Sequence, residues 1–126
     1  MIFGHGIDIV AVTRIKEALE ASESFKTRVF TNKEIEYCHA QKNKIPSFAG
    51  RFAAKEAFVK ALGTGFTEGI NWNDVEVINN ENGKPHIELH NEAKGIFEKK
   101  KMTSILISIS HEKEYAVASV ILWGVH

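Results

Sequence analysis

The stretch PSFAGRFAAKEAFVKALG, residues 46–63, decides how this chain folds. Proline at its head suits the first turn of a helix, where its missing N–H would have no partner anyway. Glycine at its end supplies a left-handed cap. Placed at ~100° per residue, Phe48, Phe52, Val59 and Leu62 form one apolar stripe. Ala49, Ala53 and Ala57 make a row of small residues beside it, which permits close approach of another helix. Phe58 and Ala54 cover much of what remains, and a helix apolar nearly all round belongs in a core. Three charges interrupt it. Glu56 and Lys60 stand four residues apart on one face, between the stripe and the row, and Lys55 falls inside the stripe itself. On a solvated helix the Glu56–Lys60 spacing is an ordinary ion pair worth ~0.2–0.5 kcal/mol. Among apolar neighbours such charges are costly unless paired or bound to a metal. The spacing leaves both readings open.

Working outward, residues 2–10 are short, β-branched and punctuated by Gly4 and Gly6, which mark a bulge or a close backbone approach in a strand. Asp8 within that strand runs against both strand propensity and burial. It is either an outward-facing strand residue or a hard carboxylate at the edge of a sheet. Asp8 and Glu56 together could hold Mg2+, which takes one or two protein carboxylates and completes its octahedron with water and phosphates. Lys60, one turn beyond Glu56, would then face those phosphates.

Thr13 is positioned to cap a helix over 14–22, with Ile15 and Leu19 on its buried side. Thr31 or Asn32 caps a second helix carrying Ile35 and Cys38, and residues 42–45 form a basic connector to the third. After the turn Gly63-Thr64-Gly65, either a plain C-cap or a backbone anion nest, a loop runs to Asn73. Strands are expected at 75–78 and 86–89 around Asn82-Gly83, a strong hairpin signal. An amphipathic helix at 91–101 ends in lysines, as a helix dipole prefers. Two further strands, 104–110 and 114–123, flank a tight turn. The pattern predicts one α+β domain over 1–126, a mainly antiparallel sheet packed against a long central helix.

The totals agree with a small globular enzyme or binding module. The 126 residues suit one domain. Lysine plus arginine number 16 and aspartate plus glutamate number 16, so no global charge advertises nucleic acid or an anionic membrane. An acidic partner must meet a local basic patch. The single cysteine, Cys38, has no disulfide partner and no zinc-type companions, which suits a reducing cytoplasm. The start is apolar but holds Asp8 and lacks a basic lead, unlike a signal peptide. The longest apolar stretch, 115–125, falls short of the ~20 residues of a membrane helix.

Gly6-Ile7-Asp8, then Phe52-Ala53-Ala54-Lys55-Glu56-Ala57-Phe58-Val59-Lys60-Ala61-Leu62-Gly63, then Ser108-Ile109-Ser110-His111 occur in that order. Together they resemble the holo-acyl-carrier-protein synthases of the 4'-phosphopantetheinyl transferase superfamily, whose Lys-Glu-x-x-x-Lys motif falls here on Lys55, Glu56 and Lys60. Asn82-Gly83-Lys84-Pro85 also looks like a loop of that family. The likeness runs from about Ile2 to Val120, and the tail from Trp123 to His126 lies beyond it.

The resemblance implies the family's fold and its reaction: transfer of phosphopantetheine from coenzyme A to a carrier-protein serine, leaving adenosine 3',5'-bisphosphate. It implies that Asp8 and Glu56 bind Mg2+ and that Lys60 steadies the pyrophosphate, with Lys55 and the Gly63 and Gly65 backbone nearby. A carboxylate or a metal-held water takes the serine proton. Arg51 and His111 resemble residues at the nucleotide end, toward the 3'-phosphate, and Lys84 and Pro85 the adenine side. Arg14, Lys16, Lys26 and Arg28 around Phe25, Ala18 and Ala21 form a basic, partly apolar surface suited to an acidic carrier protein. Small members of the family are trimers with sites between subunits, and the same is expected here. Two rival readings keep fewer of these features. A Mg2+-dependent nucleotide pyrophosphatase would explain Asp8, Glu56 and Lys60, but sites of that type use more carboxylates and the chain has no Glu-rich helix. A noncatalytic binding or oligomerisation module would leave Glu56 without a chemical role.

Overall fold

The structure is a computed structural model that describes residues 1–125, so His126 at the end of the tail lies outside the described residues. Its elements run β1 (Ile2–Ala11), α1 (Val12–Ala21), α2 (Glu23–Val29), α3 (Asn32–His39), α4 (Lys44–Leu62), a 3-10 turn (Trp72–Asp74), β2 (Val75–Asn79), β3 (Pro85–Leu89), α5 (Asn91–Lys99), β4 (Met102–His111) and β5 (Tyr115–Gly124). The strands form two antiparallel sheets, β1-β5-β4 and the ribbon β2-β3. The expected α+β class stands, with the antiparallel strands divided between two sheets around the central helix.

Helix α4 is the hub, and 14 of its 19 residues are buried, as a helix apolar nearly all round demands. Its alanine row meets a sheet rather than another helix. A Cβ built on Gly4 would lie 2.0 Å from the Ala61 carbonyl oxygen, and one on Gly6 would lie 2.0 Å from that of Ala57. The two glycines therefore let β1 lie directly on the helix backbone. The strand's register also shifts between Ile2 and Gly4, so bulge and close approach coexist there. Gly4, Gly6, Asp8 and Val10 of β1 face α4, while Ile7 and Ile9 face outward and are more than half exposed.

On the other side of α4, the phenylalanine stripe packs into an aromatic cluster. Phe52 stacks between Phe25 and Trp72, at ring-centroid distances of 6.4 and 4.9 Å. That cluster explains α2, which carries Phe25 and was not legible in the sequence. At α1, Ala11 rather than Thr13 occupies the cap position and offers no side-chain hydrogen bond. Strand β1 runs straight into the helix, whose Val12 N–H donates instead to the Glu114 carbonyl at 2.8 Å. Helix α4 begins at Lys44, two residues before Pro46, which still sits in the first turn. Thr31 caps α3 through a reciprocal capping box with Glu34. No helix among the described residues is long and apolar enough to cross a membrane.

Candidate active site

Two clusters flank α4. The first joins the edge strand to the helix: Lys60 Nζ lies 2.9 Å from Asp8 Oδ1 and donates to the Ile7 carbonyl at 3.1 Å. The Asp8 side chain is 16% exposed and that of Lys60 52%, so the pair opens to solvent from a sheltered base. Asp8 thus faces the helix and not outward. Lys60 takes Asp8 as its partner in place of the Glu56 expected from i, i+4 spacing. Glu56, half-buried, has no hydrogen-bond or ion-pair partner among the described residues. Burial pushes its carboxyl above the usual carboxylate range, and the nearby Asp8 carboxylate pushes it further. Lys60 and Arg14 pull in the opposite direction without prevailing. Two carboxylates crowded together, one of them unpartnered, form a hard oxygen donor set that fits Mg2+.

Arg14, read from the sequence as part of a docking surface, therefore also acts on this cluster, and its guanidinium lies 5.5 Å from the centre of the Phe52 ring. Phe25 is half-buried against Phe52 and Phe30, which leaves Arg14, Lys16 and Arg28 as the exposed basic members of that surface. Lys26 is partly covered and lies 3.5 Å from Glu23.

The second cluster lies toward the start of α4. Arg51 and His111 line one cavity of about 280 Å3 with Tyr37, Asn79, Gly83 and Pro85. Arg51 is only 4% exposed, and its fixed charge is held from two sides. Its guanidinium lies 4.1 Å from the Tyr37 ring centre and donates to Asn79 Oδ1. The Arg51 Nε is buried with no hydrogen-bond partner, a donor that calls for an acceptor from outside the protein. Gly50 admits the opposite wall, since a Cβ there would come within 2.9 Å of Ile109 and 3.4 Å of the His111 ring. Tyr37 and Asn79 escaped sequence reasoning because each stands on a different element from Arg51, 14 residues before it and 28 after it. Lys84 does not line the cavity, whereas its neighbour Pro85 does.

Two expectations change. Lys55, expected beside the phosphates, is fully buried and pairs with Glu34 at 2.9 Å, also donating to the carbonyls of Trp72 and Val75. Burial pushes its ammonium below the usual lysine range, against the pull of Glu34. Lys55 is a structural clamp between α4, α3 and the start of β2. The Gly63 and Gly65 N–H groups both donate to the Val59 carbonyl, at 3.0 and 3.3 Å, so in this turn they cap the helix. Both glycines have positive φ, and neither would find an atom within 4 Å of an added Cβ. The turn next to Lys60 is open to an approaching ligand.

Known proteins share this architecture. The family model described as 4'-phosphopantetheinyl transferase superfamily matches residues 4–120. The chain is 43% identical over 123 residues to a holo-[acyl-carrier-protein] synthase of Geobacter sp. (strain M21), covering 97% of this chain and 98% of that one. A crystal structure of the holo-[acyl-carrier-protein] synthase of Neisseria meningitidis superposes with a TM-score of 0.89 at 29% identity, over 97% of this chain and 98% of that one. The Bacillus anthracis str. Ames enzyme in complex with CoA (3',5'-ADP) gives 0.81 at 38% identity, over 99% of each chain.

Proposed function

The chain belongs to the 4'-phosphopantetheinyl transferase superfamily, and we infer that it moves the 4'-phosphopantetheine group of coenzyme A onto a serine of an apo-acyl carrier protein. The serine hydroxyl gives its proton to a base at the site, its oxygen forms a bond to the β-phosphorus, the bond to the bridging oxygen breaks, and adenosine 3',5'-bisphosphate leaves with that electron pair. The observation that carries the residue assignment is the convergence of Asp8, Glu56 and Lys60 at one opening between β1 and α4.

Asp8 and Glu56 are the residues that would hold Mg2+, and Lys60 is catalytic with them. When bound, the ion offsets pyrophosphate charge as the β-phosphorus is attacked. Lys60, freed from Asp8 by substrate, turns its ammonium toward the phosphates. Gly63 and Gly65 keep the adjoining turn bare so that coenzyme A can lie against it. Arg51 and His111 take the nucleotide end, with the unpartnered Arg51 Nε directed to the 3'-phosphate.

These two clusters do not face the same way. At ~100° per residue, Arg51 stands ~140° around α4 from Glu56 and ~180° from Lys60. One coenzyme A therefore meets the nucleotide cavity of one subunit and the carboxylates of another, which accords with a homotrimer. The exposed apolar face of β1-β5-β4 is the surface such an assembly would cover. Arg14, Lys16 and Arg28, with the partly covered Lys26 and Phe25 at their base, form the docking surface for the acidic carrier protein. The buried lone thiol of Cys38 suits a reducing cytoplasm, and modification of an acyl carrier protein suits work on lipid synthesis.

The test is the mass of an apo-acyl carrier protein incubated with this chain, coenzyme A and Mg2+. We expect a gain of one phosphopantetheine, lost with chelator and reduced by about 10²–10³ in Asp8→Ala and Glu56→Gln. Arg51→Gln should erase ~10–100-fold of any preference for coenzyme A over its 3'-dephospho form, the worth of a charged hydrogen bond. No mass gain with several carriers would overturn the activity; full activity in Glu56→Gln would overturn the site.

A further inference from the structure

The outer face of the β2-β3 ribbon carries four titratable side chains for which the transfer reaction has no use. Strand alternation puts His86, Glu88 and His90 on one side, and Glu76 of β2 stands directly opposite Glu88. Two like charges in facing positions destabilise an antiparallel pair. Here they are drawn together with a ring nitrogen. Glu76 Oε1 lies 3.0 Å from His90 Nε2, and one donor atom from each of Glu76, Glu88 and His90 lies within 4.8 Å of the others.

The surroundings hold this set in place. The second oxygen of Glu76 accepts a 2.5 Å hydrogen bond from the Thr31 hydroxyl at the cap of α3, so the carboxylate is fixed with Oε1 turned to the cluster. His86 Nε2 lies 3.4 Å from the Glu88 carboxylate and can orient it from outside. The Glu76 side chain is 7% exposed, while those of Glu88 and His90 are about half exposed, so the cluster has a buried floor and an open mouth. Lys33 and the buried Lys55 are the ammonium groups that act on Glu76.

We propose that Glu76, Glu88 and His90 form a binding site for a first-row divalent cation of the Zn2+ type, separate from Asp8 and Glu56. One imidazole with two carboxylates suits Zn2+ or Co2+, whereas Mg2+ prefers oxygen alone. Three protein donors leave a position for water. The ion would cancel the facing carboxylates and tie β2, β3 and the entry to α5 together. A two-stranded ribbon is marginal by itself, and the far end of this one, at Asn79, Gly83 and Pro85, walls the nucleotide cavity. The role is therefore to stiffen that wall.

The experiment uses chelator-stripped chain in a large excess of Mg2+, titrated with Zn2+ by calorimetry and with Co2+ by visible absorption. One Zn2+ per chain should bind, with affinity falling at least ~10-fold in His90→Ala and Glu88→Gln and unchanged in Asp8→Asn. Zn2+ should raise the Tm of the parent chain and not that of the two ribbon variants. Both altered side chains are about half exposed, and circular dichroism checks their folds. Absence of saturable Zn2+ binding in the parent, equal binding in His90→Ala and Glu88→Gln, or loss of binding in Asp8→Asn would each overturn the proposal.

Discussion

Glu56 holds its proton more firmly than an ordinary glutamate because burial and the Asp8 carboxylate outweigh Lys60 and Arg14. Its folded pKa thus lies above its unfolded one. Across that window the native chain binds more protons than the unfolded chain, and stability falls as pH rises. Glu56→Gln removes the titration. The variant should match the parent at pH 4 and exceed it in Tm at neutral pH. A difference that does not grow between those pH values would refute the crowding of Asp8 and Glu56. Adding Mg2+ should raise the parent's Tm at neutral pH and leave the variant's unmoved, since a ligand stabilises only the state that binds it. Lys55 shows the reach of residue-level reading. Its place in an apolar stripe marks it as a charge in need of a partner. The partner, Glu34, lies 21 residues earlier on another helix, beyond what periodicity within α4 can identify.

Elements were legible where local chemistry governs them. The Gly63 cap, the Thr31 capping box and the Asn82-Gly83 hairpin are each fixed by residues in the segment itself. Helix α2 was not, because its seven residues are held by Phe25 against Phe52 of α4, a tertiary contact. The alanine row of α4 signalled close approach but not what approaches. The answer lies in Gly4 and Gly6, and it sets a prediction for the helix–strand contact. In Gly6→Ala the new methyl would meet the Ala57 carbonyl at 2.0 Å and the Ala61 nitrogen at 2.7 Å, so β1 and α4 must separate. Overpacking of this kind costs about 1–3 kcal/mol or more. The same shift pulls Asp8 from Lys60, so urea unfolding and kcat should both fall. Gly95→Ala is the contrast: an added Cβ in α5 meets nothing within 4 Å. That change should stabilise the helix by ~0.5–1 kcal/mol. If Gly6→Ala behaves like Gly95→Ala, close packing of β1 on α4 is wrong.

At the scale of the molecule, the proposed site draws on two clusters that stand on opposite sides of one helix. Sequence order gave no hint of the division, since Arg51 and Glu56 sit five residues apart in the stretch 46–63. The outer face of β1-β5-β4 leaves Ile7 59%, Ile9 65% and Leu106 58% exposed, an apolar surface that a lone chain would hold against water. Ile9→Glu should place a charge in that face, give monomers by light scattering, and lower transfer at least as much as loss of Asp8 does. A sharper test needs no loss of assembly. At limiting coenzyme A, Asp8→Ala and Arg51→Ala chains are each strongly impaired alone, yet each keeps the half of the site that the other lacks. Exchange of their subunits at equal amounts makes about a quarter of the interfaces intact, because each interface draws one half from each of two chains at random. Transfer should therefore return to about a quarter of the parent rate. If exchange is verified by mass and no activity returns, each site belongs to a single chain, and Arg51 must serve its substrate from the same subunit as Asp8.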